Sequence, residues 1–290
     1  MFCGLPIYFE LLDRGYRVHL ASYSVTEISL IQQVVQLTDS LIGVTADSVC
    51  DLAYFPEGYL VRWFREQLSQ EVTIWCFEKT GVRPLIDNYR ALIEHLKIDA
   101  ILLVDGGVDS LLRGDEAQMG TILEDAISLI AVSELKKVSV RLMACLGLGA
   151  EQDIHYAHVF ENIAKLTELN AFQGSCSLHK QMEPYGHYEA AVAYVQSQPR
   201  QDPSVINSSV ISAVQGHYGN YHLTDKTRGS RLWISPLMSI YWFFEITAVA
   251  RRNLLFPNLR YTDTRTEAYR GLVQARRGLA LRKPAKIPLP

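Results

Sequence analysis

The stretch AILLVDGGVDSLLRGDE, residues 100–116, joins an apolar run directly to a loop that is rich in glycine and charge. The run AILLV is apolar at every position, which is typical of a strand that helices cover on both faces. The twelve residues after it contain four carboxylates, one arginine and three glycines. A buried strand that ends in this composition predicts a ligand site at the C-terminal edge of an α/β sheet.

Short apolar runs alternate with helix-like segments on both sides of this stretch. Strands are predicted at residues 17–22, 40–45, 72–77, 99–104 and 138–146. Helices are predicted between them at 60–70, 84–96 and 122–135. This alternation indicates βαβ units, so we predict a Rossmann-like α/β fold with an open, mostly parallel sheet and helices on both faces.

The second half of the chain is dominated by helical periodicity. Helices are predicted at 155–169, 187–198, 204–216, 235–253 and 264–278. We therefore predict a single α/β domain over residues 1–280, sheet-rich over 1–150 and helix-rich over 151–280. Residues 281–290 are basic and rich in proline, which predicts a loosely held tail.

Composition excludes several classes of protein. The formal net charge of −3 lacks the basic excess of a nucleic-acid-binding protein. The longest apolar stretch contains Pro236 and Glu245, so no membrane span is expected. The five cysteines are scattered without paired spacing, which argues against a zinc knuckle or a disulfide framework. With no signal peptide visible, we expect a cytoplasmic protein; whether it forms a homo-oligomer is left open.

The loop at residues 105–116 carries the candidate chemistry. Asp105 and Asp109 can accept hydrogen bonds from hydroxyl groups or hold a hydrated divalent ion. Arg113 can bind a phosphate or carboxylate through two parallel hydrogen bonds. Asp115 and Glu116 can act as an acid or a base if their charges crowd together. The less favoured alternative is a solvated turn with internal Asp–Arg pairing.

Two pairs of glycines mark flexible strand ends at the same edge of the predicted sheet. Gly106 and Gly107 follow the strand at 99–104, and Gly147 and Gly149 follow the strand at 138–146. Glycine allows a positive φ and lets a ligand approach the backbone closely. We predict that all four contribute to ligand binding.

The helix that follows the acidic loop has its own start signals. Thr121 and Glu124 have the spacing of a capping box, which predicts that Glu124 satisfies the first amides of this helix. Gly120 and Thr121 can still present backbone amides to an anion. The role of Asp125 in the first turn stays undecided.

Histidines supply a candidate proton carrier. Glu151, His155 and His158 are spaced to share a helix face, which is permissive for a metal, although H-x-x-H is not a recognised ligand motif. We assign His155 to the catalytic set. His217, in the cluster VQGHYGNYH at 214–222, is a candidate ligand-binding residue. A divalent metal ion is thus compatible with the sequence, but its ligands stay unknown.

Several of these motifs resemble a known family. DGGVDSLLRGDE with MGTILEDAISLIAV, LGLGAE with HYAHVFENIAKL, and SRLWISPLMSIYWFF resemble the uncharacterised family named domain of unknown function 1152. The resemblance runs roughly from Leu5 to Thr262 and implies a single α/β domain of a soluble microbial protein, with no assigned reaction. It also implies an N-terminal strand and a glycine-rich, aspartate-containing loop ahead of the helix near Leu5, where this sequence has only MFCG.

These observations favour an enzyme that acts on a polar small molecule of the nucleotide, nucleoside or phosphosugar type. The alternative is a non-catalytic binding or sensor protein, because binding and catalysis use the same residue types. A structural subunit with an acidic interface is a third interpretation. A nucleotide-cofactor oxidoreductase is disfavoured because no G-x-G-x-x-G follows a first strand.

Overall fold

The structure is a computed structural model that describes residues 1–50, 54–285 and 287, so part of the predicted tail at 281–290 lies outside the described residues. The strands are β1 (Leu20–Tyr23), β2 (Val35–Thr38), β3 (Leu41–Val44), β4 (Ile74–Phe77), β5 (Ala100–Gly106), β6 (Val140–Leu146), β7 (Phe172–Ser177) and β8 (Ile240–Glu245). The helices are α1 (Leu5–Asp13), α2 (Pro56–Leu68), α3 (Val82–Leu96), α4 (Ile122–Ser133), α5 (Tyr156–Glu168), α6 (Glu183–Gln196), α7 (Val205–Val214), α8 (Ile246–Arg252), α9 (Phe256–Leu259) and α10 (Arg265–Arg277).

The strands form two mixed sheets rather than the one open, mostly parallel, Rossmann-like sheet that we predicted. Their orders are β1-β4-β3-β2 and β5-β6-β8-β7. Only β1–β4 and β5–β6 are parallel, and the other pairings in these sheets are antiparallel. The α/β class is confirmed, whereas the predicted single parallel sheet is wrong.

The segment at 235–253 shows why the sheet prediction failed. It was predicted to be one helix, but it forms a short 3₁₀ helix (Pro236–Ser239), then β8, then α8. β8 pairs with β6 on one side and β7 on the other. A strand paired on both sides and covered on both faces need not alternate apolar with polar residues, so periodicity does not distinguish it from a buried helix.

Helices cover both faces of both sheets. Neighbouring side chains of β4 and β6 point to opposite faces of their sheets and enter two separate core clusters. Trp75 and Met143 belong to the first cluster, and Ile74 and Ala144 belong to the second. Helices α3, α4 and α5 pack in the first cluster, and α1, α2 and α6 in the second. Among the described residues, no helix is long and apolar enough to cross a membrane.

The pairing of β5 with β6 positions the candidate site. The strands are parallel, with Asp105 opposite Cys145 and Gly106 opposite Leu146. Both strands therefore end at the same edge, where the loop after Gly106 meets the turn after Leu146. Gly107 N donates to Leu146 O at 2.8 Å, which joins the two loops.

Candidate functional site

Three aspartates meet beside the C-terminal end of β5. Asp105 is the second-to-last residue of β5, Asp109 begins a 3₁₀ helix (Asp109–Leu111), and Asp125 lies in the first turn of α4. One carboxylate oxygen from each lies within 4.8 Å of the other two. We call these three residues the aspartate cluster. Asp109 is only 2% exposed.

Hydrogen bonds from Ser110 and Thr121 hold the side chains of the aspartate cluster in place. Asp105 Oδ2 accepts from the Ser110 hydroxyl and from Ser110 N at 3.3 Å. Asp109 Oδ2 accepts from Thr121 N at 2.7 Å and from Thr121 Oγ1 at 2.8 Å. Thr121 Oγ1 also lies 3.4 Å from Asp125 Oδ2. Each of these hydrogen bonds uses an Oδ2 atom.

A fourth carboxylate, that of Glu151, comes from the turn after β6. Its Oε2 accepts from Val108 N at 2.8 Å. Gly107 has a φ of +144°, and a Cβ there would lie 2.8 Å from the Glu151 carboxylate carbon. Only glycine leaves room for this contact, and the role of Gly107 in ligand binding stays a prediction.

Gly120 brings the chain back against the aspartate cluster. It has a φ of +56°, and a Cβ there would lie 2.7 Å from Asp109 Oδ2. The absence of a side chain lets the backbone reach Asp109 and directs Thr121 N toward the carboxylate. Gly120 and Thr121 thus support the aspartates, and in the structure Thr121 N is used by Asp109 rather than open to an anion.

The negative charge of the four carboxylates has no cationic partner. No Lys or Arg nitrogen of the described residues forms a salt bridge with Asp105, Asp109, Asp125 or Glu151. Burial, together with the charge of Asp109, raises the pKa of Asp105 to about 7. Burial and the same neighbouring charges raise the pKa values of Asp125 and Glu151 well above the usual range. Either protons or a bound cation must offset this charge.

The raised pKa of Asp105 predicts a pH-dependent stability. A carboxyl group with a folded pKa near 7 stabilises the fold below its unfolded pKa of about 4, and this contribution is lost as pH rises through about 7. Without metal, we expect the free energy of unfolding to fall between about pH 5 and pH 8 by at least ~1.4 kcal/mol, the equivalent of one pKa unit. Urea unfolding in chelator at several pH values measures this.

Asp105→Asn is the matched variant for this pH series, because it removes the titrating group. We expect a flatter pH profile for the variant, and we expect Mn²⁺ at pH 8 to restore the stability of the parent. Equal slopes for the parent and the variant would show that Asp105 does not titrate in this range.

Gly107→Ala is expected to lower the free energy of unfolding by about 2 kcal/mol, since the backbone strain adds to a collision with the Glu151 carboxylate. Gly174→Ala is the control, because Gly174 has a similar positive φ of +114° and no atom within 4 Å of its Cβ position. We expect the control to lose about 1 kcal/mol. Equal losses, measured by urea unfolding, would remove the argument for a required Gly107–Glu151 contact.

The other half of the acidic loop forms a separate ion-pair cluster. Arg282 Nε lies 3.0 Å from Asp115 Oδ1, and the Arg282 guanidinium also bonds Glu116. Glu116 Oε2 accepts from Gly114 N at 2.8 Å, and Arg113 N donates to Glu116 Oε1 at 3.0 Å. The Arg113 guanidinium lies 3.9 Å from Asp115. Asp115 and Glu116 are thus paired with Arg282, and Asp115 also lies near Arg113, in a buried cluster rather than in a solvated turn.

The environment of Glu116 keeps it charged. Burial alone would raise its pKa, but the backbone amides of Arg113 and Gly114 and the charge of Arg282 outweigh burial, so the pKa lies below its usual value. A buried carboxylate with a lowered pKa suits a structural ion pair better than proton transfer. Its catalytic role stays a prediction.

The histidines do not join the aspartate cluster. His155 lies at the N-cap of α5, and its ring centroid is 6.3 Å from that of His158. His155 Nε2 and His158 Nδ1 are buried and lack hydrogen-bond partners among the described residues. His217 is exposed and stacks on Tyr221 at 3.7 Å. In the part of the chain that the structure describes, no histidine belongs to a group of three possible metal ligands.

The remaining glycines lie near the N-terminal turn of α7. A Cβ on Gly147 would lie 3.0 Å from the Ile206 side chain, and one on Gly106 would lie 3.8 Å from it. Gly149 is in the same turn, beside Met238. The structure therefore brings Gly106, Gly107, Gly147 and Gly149 to one edge, as the strand ends predicted.

Sequence reasoning missed two members of the site and misassigned one signal. The role of Asp125 was left undecided, and Glu151 was considered only as a possible metal ligand beside the histidines. Both residues nevertheless follow a glycine-containing segment after β5 or β6. The capping box prediction is wrong: the Thr121 hydroxyl contacts Asp109, and Glu124 instead pairs with Arg265 at 2.7 Å. Thr121 therefore binds the Asp109 carboxylate and does not cap the helix.

The comparisons with known proteins identify a family but no function. A family model described as "Protein of unknown function (DUF1152)" matches residues 27–277, a range that includes the aspartate cluster and Glu151. No curated protein matches the chain. No solved structure matches it.

Proposed function

The chain belongs to the DUF1152 family of proteins of unknown function, and for this member we propose a divalent-cation-dependent enzyme that acts on a phosphate-bearing small molecule. The observation that carries the proposal is the aspartate cluster. Three carboxylate oxygens lie within 4.8 Å of one another, and no Lys or Arg of the described residues forms a salt bridge with them.

The chemistry of the cluster favours a hard divalent cation. Carboxylate oxygens are the ligands that Mg²⁺ and Mn²⁺ prefer, whereas softer metals prefer nitrogen or sulfur. Buried carboxylates without partners are costly, and a divalent ion offsets their repulsion directly. In this proposal Asp105, Asp109 and Asp125 are the ligands, and Ser110 and Thr121 orient them through the hydrogen bonds described above.

A phosphate-bearing substrate follows from the charge of the site. Mg²⁺ in proteins usually keeps open positions and binds one or two carboxylates together with phosphate oxygens of the substrate. The carboxylates of the aspartate cluster alone would repel an anion, so its binding depends on the cation.

Glu151 is the proposed general acid. Burial, with the charges of Asp109 and Asp105, raises its pKa far enough that it holds a proton at neutral pH. A protonated carboxyl group beside a metal-bound phosphate can donate to a leaving oxygen. The proposed reaction class is metal-assisted hydrolysis or transfer at phosphate.

The experiment combines binding with turnover. Nucleotides, nucleosides and phosphosugars are tested by thermal shift with and without Mn²⁺ or Mg²⁺, and each compound that binds is then followed by ³¹P NMR. We expect stabilisation only with the cation and loss of both binding and turnover in Asp109→Asn. Binding that needs neither the cation nor Asp109 would overturn the proposal.

A second variant separates an enzyme from a sensor. Glu151→Gln is expected to retain cation and ligand binding and to lose turnover, with the exposed Glu168→Gln on α5 as the matched control. Ligand binding without turnover in the parent would instead assign the chain to a non-catalytic sensor.

A further inference from the structure

A cavity of about 190 Å³ lies at the C-terminal end of β1. It is lined by Ser22 and Tyr23 of β1, Glu57 of α2, and Gln201 and Asn207 near the start of α7. Sites that enclose a whole drug-sized ligand are roughly 300–1,000 Å³. This cavity is therefore suited to one part of a larger ligand.

Glu57 gives the cavity a buried carboxylate with spare acceptor capacity. It is 2% exposed, and its Oε1 accepts from Ser22 Oγ and Ser24 Oγ, both at 2.9 Å. Its Oε2 has only a long contact, 3.4 Å from Thr26 Oγ1. A carboxylate offers about four acceptor positions. One oxygen of Glu57 thus remains available to a hydrogen-bond donor.

Gln201, which also lines the cavity, carries a second polar atom that lacks a partner. Its Oε1 is buried and has no hydrogen-bond partner among the described residues. Buried polar atoms in folded proteins normally have a partner from the protein, from water or from a ligand. Glu57 Oε2, which has one long contact, and Gln201 Oε1, which has none among the described residues, favour a ligand that is rich in donors.

The walls of the cavity favour hydroxyl groups on a ring as those donors. Apolar side chains of Phe2, Pro56 and Val192 lie between the polar groups. A sugar presents hydroxyl groups at its edge and C–H groups on its faces, which matches this alternation. A lone ammonium group would match the two acceptors but not the apolar walls.

The cavity lies close to the aspartate cluster along the edge of the sheets. Asn207 lines the cavity, and its Oδ1 accepts from Cys3 Sγ at 3.3 Å. A Cβ on Gly106 would lie 3.0 Å from that same Cys3 Sγ. Gly106 directly follows Asp105, so the cavity and the aspartate cluster are neighbours along this edge, with Cys3 between them.

We infer that this cavity binds the hydroxylated sugar of a phosphorylated substrate, whose phosphate is held by the cation at the aspartate cluster. The inference rests on the proposed function and narrows the substrate to sugar phosphates and nucleotides. Glu57 and Gln201 accept from the sugar hydroxyls and select for them.

The test compares phosphates with and without hydroxyl groups. Binding of ribose 5-phosphate, glucose 6-phosphate, adenosine monophosphate, phosphoethanolamine and inorganic phosphate is measured by calorimetry in saturating Mn²⁺. We expect at least one hydroxylated phosphate to bind at least ~10-fold tighter than inorganic phosphate, which corresponds to one good set of hydrogen bonds.

Two variants locate this preference. Glu57→Gln removes the spare carboxylate oxygen, and Val25→Trp fills the cavity from a position that is 67% exposed and lines it. Both should abolish the preference while affinity for Mn²⁺ and inorganic phosphate stays unchanged. Leu169→Trp, at a position 57% exposed and outside the cavity, is the control for the added tryptophan.

The test distinguishes a failure of this inference from a failure of the proposed function. A parent protein that binds Mn²⁺ and inorganic phosphate without preferring any hydroxylated phosphate, or that prefers phosphoethanolamine, overturns the inference alone. A preference for the hydroxylated phosphate that survives in both variants also overturns the inference alone. A parent protein that binds no Mn²⁺ overturns the proposed function as well.

Discussion

Asp109→Asn is expected to weaken Mn²⁺ binding roughly 100-fold or more, equivalent to about 2.7 kcal/mol. Asp109 is 2% exposed and contributes one of the three converging carboxylates. The substitution removes a negative charge from the metal site, but the amide oxygen can still accept from Thr121. The fold is therefore expected to survive, and the loss is specific to the cation. Isothermal titration with Mn²⁺ at pH 8 measures the effect.

Asp115→Asn is the matched control, because it changes the same residue type in the same loop. Asp115 bonds Arg282 and does not belong to the aspartate cluster. We expect its Mn²⁺ affinity to equal that of the parent. If Asp115→Asn weakened binding as much as Asp109→Asn, the metal site would include the second half of the loop and our division of the loop would be wrong.

Arg282→Met is expected to lower the free energy of unfolding by about 3–4 kcal/mol, because it leaves buried carboxylates without their cation. Glu116 is fully buried and Asp115 is 9% exposed, and Arg282 bonds both. A loss of this size corresponds to a fall in Tm of roughly 6–12 °C for a protein of this size. Urea unfolding and a thermal melt at pH 7 measure it.

Arg14→Met supplies the control, since Arg14 forms an exposed ion pair with Glu10. Exposed pairs contribute about 0–1 kcal/mol, so we expect little change. The lowered pKa of Glu116 adds a second check: its stabilisation is present above its unfolded pKa and is lost as pH falls through the lower folded value. The difference between Arg282→Met and the parent should shrink in acid. Equal losses in both variants at pH 7 would contradict a buried structural ion pair.

Local patterns in the sequence predicted much of the fold. Apolar runs located β1, β3, β4, β5 and β6, and the amphipathic segments between them located α2, α3 and α4. The glycines after β5 and β6 correctly placed Gly107 and Gly147 at one edge. These predictions succeeded because each depends on residues that are neighbours in sequence.

The features that failed depend on contacts between distant segments. β7 was not among the predicted strands, because Gly174 and its small neighbours lack an apolar pattern, yet pairing with the antiparallel β8 forms it, with a register shift. The approach of Asp125 to Asp109 depends on how α4 packs. The pairing of Glu116 with Arg282 joins residues 166 positions apart. No local pattern in the sequence encodes such contacts.

The most direct test of the account is anomalous X-ray scattering from crystals of the protein soaked in Mn²⁺. We expect an anomalous peak from Mn²⁺ within coordination distance of Asp105, Asp109 and Asp125, and no peak there in crystals of Asp109→Asn. A Mn²⁺ peak elsewhere, with the aspartate cluster empty at pH 8, would contradict the central claim that these three carboxylates form a cation site.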